Sequence, residues 1–181
     1  PIGGGCSGPV LRGSGVAWDL RKNQIGNIYN QLNFSVPAGT VGDCYDRFLV
    51  RFEEMYQSLA ILTQLLKLLP SGPVRCDDFK LFAMDRSLFK SSMEGLIHHF
   101  KFFTENFYVP TGSIYNAVEA PKGEFGVFIS SDGSFRPYRV KIRAPGFFHL
   151  QALQSLAVNS LLADVVTSVG SLDLVFGEID R

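Results

Sequence analysis

Asp173, set in the run Leu172-Asp173-Leu174-Val175-Phe176, is the side chain best placed to do chemistry in this sequence. A carboxylate among apolar neighbours is costly to bury ionised unless a cation or hydrogen-bond donor meets it. It therefore reads either as a partnered functional group or as a surface or capping aspartate. Lys122, in Glu119-Ala120-Pro121-Lys122-Gly123, reads from its surroundings as a solvated hairpin lysine. Glu178, Asp180 and Arg181 add charge to the tail, and the Arg181 guanidinium beside its own terminal carboxylate reads equally well as an internal ion pair.

Metal and nucleophile chemistry find little support. His98 and His99 are adjacent, so on a helix they point about 100° apart, whereas a zinc pair of the H-E-x-x-H kind needs an i, i+4 spacing. His149 reads as a packing residue. Cys6, Cys44 and Cys76 lie far apart without a C-x-x-C, which is neither a disulfide framework nor an iron–sulfur signature. No phosphate loop, dinucleotide fingerprint or serine–histidine–aspartate arrangement is present. Seventeen basic residues balance 17 acidic ones, so nothing draws the chain to nucleic acid. The chain is 46% hydrophobic with 16 phenylalanines but only 19% charged, a composition that fits large protein–protein interfaces. Its longest apolar stretches, such as residues 59–69, are interrupted by Thr63, Gln64 and Lys67 and fall short of the roughly 20 residues that span a bilayer.

The elements that position these residues fall into four regions. Residues 1–40 are glycine-rich and read as irregular, with a short extended stretch at 32–36. After a cap at Asp43, Phe48, Phe52, Met55, Leu59, Leu62, Leu66 and Leu69 step by four and three until Pro70 and Gly72 stop the helix. A second helix from about Arg86 repeats the pattern through Phe89, Met93, Leu96, Phe100, Phe103 and Phe107. The two seams predict an antiparallel pair over 43–107, with Arg47, Arg51, Glu54 and Lys67 off the first seam. Period-two patterning predicts three antiparallel strands at 114–120, 124–130 and 138–143, with Gly133 supplying the positive φ of the second turn. Helical signals return at 147–158 and 161–168. The fold class is α+β, a helical bundle with two long antiparallel helices and a small three-stranded antiparallel sheet.

Several blocks stand in an order that resembles one family. They are Gly8-Pro9-Val10-Leu11-Arg12-Gly13-Ser14-Gly15, Gly42-Asp43-Cys44-Tyr45-Asp46-Arg47, Ser92-Met93-Glu94-Gly95-Leu96-Ile97-His98-His99-Phe100-Lys101 and Glu119-Ala120-Pro121-Lys122-Gly123-Glu124-Phe125-Gly126-Val127. Arg136-Pro137-Tyr138-Arg139, Lys141-Ile142-Arg143-Ala144-Pro145-Gly146-Phe147-Phe148-His149-Leu150, Leu162-Ala163-Asp164-Val165-Val166 and the tail from Asp173 follow. Together they resemble the hydrogenase-derived core subunit of respiratory NADH:ubiquinone oxidoreductase (complex I). In nickel–iron hydrogenases the large subunit ends near Asp-Pro-Cys-x-x-Cys-x-x-His. On that spacing Asp173 keeps its place, Val175 and Glu178 stand where the thiolates would be, and Arg181 replaces the histidine. Soft thiolates are what a nickel–iron centre needs, so the resemblance implies that the metal site is gone and that a working hydrogenase is excluded.

The resemblance further implies a nickel–iron hydrogenase large-subunit-like fold and a quinone pocket in the old metal cavity. Asp173 would act near the quinone headgroup, Val175 and Phe176 would be apolar wall, and Glu178, Lys122 and Arg181 would stand around the pocket. Lys122 matches an arginine of the hydrogenases and keeps its charge without its two-point geometry. This chain alone would bind no metal, flavin or NADH. A partner subunit would hold a 4Fe-4S cluster, ubiquinone would enter at the interface, and other peripheral-arm and membrane-arm subunits would complete the assembly. The family's His-Pro-Ser-x-His-Gly motif is not found here, so residues 1–181 are expected to be the C-terminal half of one domain, with the N-terminal half on a separate chain. The expected location is the matrix side of the mitochondrial inner membrane, with the face of the bacterial cytoplasmic membrane second. A non-catalytic scaffold descended from this subunit, or the equivalent subunit of a plastid-type quinone-reducing complex, are the alternatives.

Overall fold

The computed structural model describes residues 4–24, 28–75, 78 and 85–180. Its elements in chain order are α1 (Pro9–Gly13), α2 (Leu20–Asn23), a 3-10 turn (Ile28–Gln31), α3 (Cys44–Leu68), α4 (Arg86–Ser91), α5 (Met93–Thr104), β1 (Gly112–Ala120), β2 (Gly123–Ser131), β3 (Arg139–Arg143), α6 (Pro145–Leu156), α7 (Leu162–Leu172) and α8 (Phe176–Asp180). The strands pair in the order β1-β2-β3, and the two-residue turn Pro121-Lys122 makes the first pair an antiparallel hairpin. The α+β class and the small sheet are as the sequence predicts. No helix among the described residues is long and apolar enough to cross a membrane.

The chain divides into two compact units. One comprises residues 1–69, 116–127 and 142–181, the other 70–115 and 128–141. In the first, α3 begins where expected: the Asp43 side chain accepts from the Asp46 N–H at 2.8 Å. It ends at Leu69, whose backbone is extended because the ring of Pro70 disfavours a helical residue before it. The glycine-rich start is not wholly irregular, since it contains α1 and α2. The extended stretch after it is no strand. Leu32 and Phe34 turn inward onto Ile61, while the Asn33 and Ser35 amides donate to the side chains of Gln64 and Gln57. A second cluster joins Cys6, Val10 and Leu172 to Leu153, Leu156 and Leu174.

In the second unit the expected single helix from Arg86 to Phe107 is two. Ser92 is extended, and its hydroxyl accepts from the Gly95 N–H at 3.0 Å, so it closes α4 and caps α5. Helix α5 stops at Thr104, before Asn106 turns left-handed. The predicted pairing joined two seams that belong to different units.

The apolar seam of α3 corrects another expectation, since it is the seam that is exposed. Phe48 is 51% exposed, Leu59 61% and Leu66 78%, while Arg47 is only 3% exposed and Glu54 is drawn into an ion pair with Arg12. The polar stripe of α3 faces the unit's own interior because α1 and α7 present it with donors and acceptors.

Candidate functional site

Lys122 reaches its position through a close backbone crossing. Gly8 (φ 66°) and Gly123 (φ 143°) lie against each other, and a Cβ on Gly123 would fall 2.6 Å from the Ser7 hydroxyl. The Ser7 hydroxyl in turn accepts from the Glu124 N–H at 3.0 Å. With the turn gripped in this way, the Lys122 ammonium donates to the Asp173 carbonyl at 3.0 Å and stands 3.4 Å from its Oδ1. Asp173 ends α7 in a left-handed conformation (φ 55°, ψ 52°), which short polar side chains tolerate better than branched ones. Sequence reasoning offered a capping aspartate or a partnered group; Asp173 both ends the helix and is held by Lys122, with its side chain half exposed.

Asp173 and Pro121 line a cleft of about 680 Å³ along α3, together with Arg51, Glu54 and an apolar wall that includes Phe52 and Leu59. Arg51 and Glu54 are the residues that sequence reasoning set aside as lying off the seam. Their signal was present, since Arg47, Arg51 and Glu54 recur at i, i+4 and i+7 and so share a helix face. Burial pulls the Arg51 pKa down, and the Arg47 charge adds to this, against the opposing pull of Asp173 and Glu54.

Behind the cleft lies a buried charge network. The Arg12 side chain donates to Glu54 at 2.6 Å, to Glu119 at 2.8 Å and to the Trp18 carbonyl at 3.0 Å. Asp19, itself buried, is clasped by Arg21 through contacts of 3.0 and 2.6 Å. Three carboxylates thus share two guanidinia, and burial pushes the Glu119 pKa up despite Arg12.

The remaining expected residues lie elsewhere. Val175 and Phe176 are exposed, 47% and 70%, at the start of α8 and are not among the residues lining the cleft. Glu178 packs over Gly146 in the first turn of α6, where only a glycine leaves room for it, and its Oε1 is buried without a hydrogen-bond partner among the described residues. Arg181, and with it the expected terminal ion pair, lies outside the described residues, as does Cys76. His149 is fully buried, with Nε2 3.1 Å from the Ser7 carbonyl, and desolvation lowers its pKa. The His99 ring packs on Phe103 at 4.7 Å, while His98 lines a small cavity with Lys101 and Phe102. Among the described residues no group of three His, Cys, Asp or Glu could hold a metal ion.

Residues 2–181 match the family described as "Respiratory-chain NADH dehydrogenase, 49 Kd subunit". The chain belongs to that family. Over 177 residues, 98% of its length, it is 59% identical to "NADH dehydrogenase [ubiquinone] iron-sulfur protein 2" of Nephroselmis olivacea and 58% identical to a subunit of the NADH-quinone oxidoreductase of Wolbachia sp. subsp. Brugia malayi. It is 56% identical to the "NADH-ubiquinone oxidoreductase 49 kDa subunit" of Reclinomonas americana. The chain spans 44–45% of the length of these relatives. The 49 Kd family is the complex I core subunit that the ordered sequence blocks resemble.

Cys44 gives this unit a chemical probe. Its thiol is partly desolvated, which raises its pKa, but hydrogen bonds with Ser171 and Ser168 and the Arg47 guanidinium, 3.0 Å away, outweigh this and lower it. Burial instead raises Cys6. Since the thiolate is the nucleophile, iodoacetamide near neutral pH should label Cys44 well before Cys6, by peptide mass spectrometry. Replacing Arg47 by Met should slow the labelling of Cys44, and equal rates at the two thiols would contradict this account.

Proposed function

We propose that this chain forms part of the quinone-reduction cavity of a proton-pumping NADH:quinone oxidoreductase, within a core subunit of its peripheral arm. The observation that carries this reading is the Lys122–Asp173 pair at the edge of a mainly apolar cleft that Arg51 and Glu54 also line. A quinone ring is an apolar plate with two polar oxygens, and such ligands favour apolar pockets with a few placed polar groups.

Reduction of a quinone to a quinol consumes two electrons and two protons. A 4Fe-4S cluster held by a neighbouring subunit would deliver the electrons, and NADH would be oxidised at a flavin elsewhere in the assembly. What this chain supplies is placement. Lys122 fixes the left-handed corner of α7 by bonding the Asp173 carbonyl, and its ammonium stands 3.4 Å from the Asp173 Oδ1. Phe52, Met55, Leu59 and Leu62 would form one wall of the cavity, at the seam where the rest of the subunit closes over α3. Val175, Phe176, Glu178 and Arg181 would complete the wall on the side of the cluster subunit. The site would lie on the matrix side of the mitochondrial inner membrane, or on the corresponding face of a bacterial membrane.

In an assembled complex carrying Asp173→Asn, NADH:quinone reduction should fall by roughly ten-fold or more, while NADH oxidation by a hydrophilic artificial acceptor stays near wild type. Full quinone reductase activity in that variant would sink the reading.

A further inference from the structure

Among the described residues, Arg51 is the one charged group on the cleft wall whose bonding this unit leaves open. Its neighbours on the same face of α3 are both engaged. Arg47 donates to Ser171, Gly42 and Cys44, and Glu54 accepts from Arg12. Asp173, across the cleft, is held by Lys122. Arg51 makes no hydrogen bond or ion pair among the described residues, although it is part-buried and carries five N–H donors. A guanidinium with unmet donors beside Phe48, Phe52 and Met55 is unfavourable without an acceptor, because the apolar wall offers it none.

We propose that Arg51 is a substrate-binding residue that donates two hydrogen bonds to one carbonyl oxygen of the quinone. This rests on the reading of the cleft as part of the quinone cavity. A carbonyl oxygen has two lone pairs, and the planar fork of a guanidinium can meet both, as an ammonium cannot. As electrons arrive that oxygen gains negative charge, and a fixed cation beside it stabilises the gain more than it stabilises the ground state. Arg51 keeps its own protons; those of the quinol come from other groups. Burial lowers the Arg51 pKa, and the opposite charges of Asp173 and Glu54 offset part of that. The apolar lining then holds the ring in place. The same charge pattern would equally suit a carboxylate from another polypeptide, and the experiment separates the two.

The test uses the assembled complex with Arg51→Lys, Arg51→Met and Asp173→Asn, a short-chain ubiquinone as the probe, and NADH oxidation by a hydrophilic acceptor as the upstream control. The expected result for Arg51→Met is a KM for quinone raised, or a kcat lowered, by about ten-fold, with upstream oxidation intact. Arg51→Lys should fall between Met and wild type, because it retains charge but loses the fork. Unchanged quinone kinetics in both Arg51 variants, with Asp173→Asn impaired, would overturn the inference and leave the cleft reading standing. Unchanged kinetics in all three would remove the cleft reading and the inference with it. Where Arg51→Met fails to assemble, Arg51→Lys decides. Wild-type KM and kcat for quinone in that variant mean that Arg51 does not meet the quinone, and the proposal fails.

Discussion

Produced without any other polypeptide, this chain should self-associate, and supplying the rest of a relative's sequence on a second chain should convert it to a discrete complex. The expectation comes from the α3 seam, where Phe48, Phe52, Met55, Leu59, Leu62 and Leu66 are all between 44% and 78% exposed. Fully burying one such side chain contributes about 1.5–3 kcal/mol, so half a dozen left in water make a strong drive toward any apolar partner. A contiguous exposed stripe of this size is a mark of an interface. The chain covers 44–45% of its relatives, so the larger part of each is available to supply that partner. Size-exclusion chromatography with light scattering should show oligomers for the chain alone and a one-to-one complex with the other half. Hydrogen exchange along α3 should slow on complex formation. A double change, Leu59→Gln with Leu62→Gln, should make the isolated chain more soluble while weakening the complex by more than ten-fold, about 1.4 kcal/mol or more. A chain that stays monomeric and unfolds cooperatively by itself would contradict the reading of this seam as an interface.

That seam also marks the border of what sequence can show. Its spacing correctly gave a helix, and Asp43 and Pro70 correctly gave its ends, because caps and breakers act over three or four residues. Spacing could not say which face of α3 meets its own unit. The answer depends on Arg12 and Ser171, which stand 42 and 124 positions away from Glu54 and Arg47. The break at Ser92 was hidden for a local reason, since the apolar rhythm runs through it and a serine inside a helix is unremarkable until its hydroxyl is seen to accept from Gly95. The short helices α1 and α2 lie in a glycine-rich segment whose composition reads as loop. At the site, Lys122 and Asp173 were named together by family resemblance. No periodicity links residues 51 positions apart; the fold brings the Lys122 ammonium to 3.0 Å from the Asp173 carbonyl, with the Gly8–Gly123 crossing seating the hairpin turn.

Arg12 should be the most sensitive single position in the charge network. Its side chain is 2% exposed and meets Glu54 and Glu119 directly. Replacing it by Met keeps much of the volume but leaves Glu119, 4% exposed, beside the buried Asp19 with no cation bonded to it. Removing one partner of a buried ion pair typically costs about 3–5 kcal/mol, so Arg12→Met should lose about that much in denaturant unfolding of the two-chain complex. Arg12→Met with Glu119→Gln should recover a large part of the loss, because the uncompensated charge is then gone. The pH dependence follows from the direction of the Glu119 shift, which is upward through burial. A carboxyl with a higher pKa folded than unfolded binds its proton more tightly in the folded state. Its penalty is therefore full above the folded pKa and lifts as pH falls toward the ordinary carboxylate value. Without Arg12 the folded pKa rises further, so acidification through that window should restore more stability to the variant than to the wild type. Asp19 sets the lower limit. Its pKa is depressed, since hydrogen bonds from Arg21 overcome desolvation, and the stability it contributes is lost only as pH falls through that lower value. A variant that unfolds with equal loss at every pH, and that Glu119→Gln does not rescue, would mean that Arg12 acts through packing of its stem rather than through its charge.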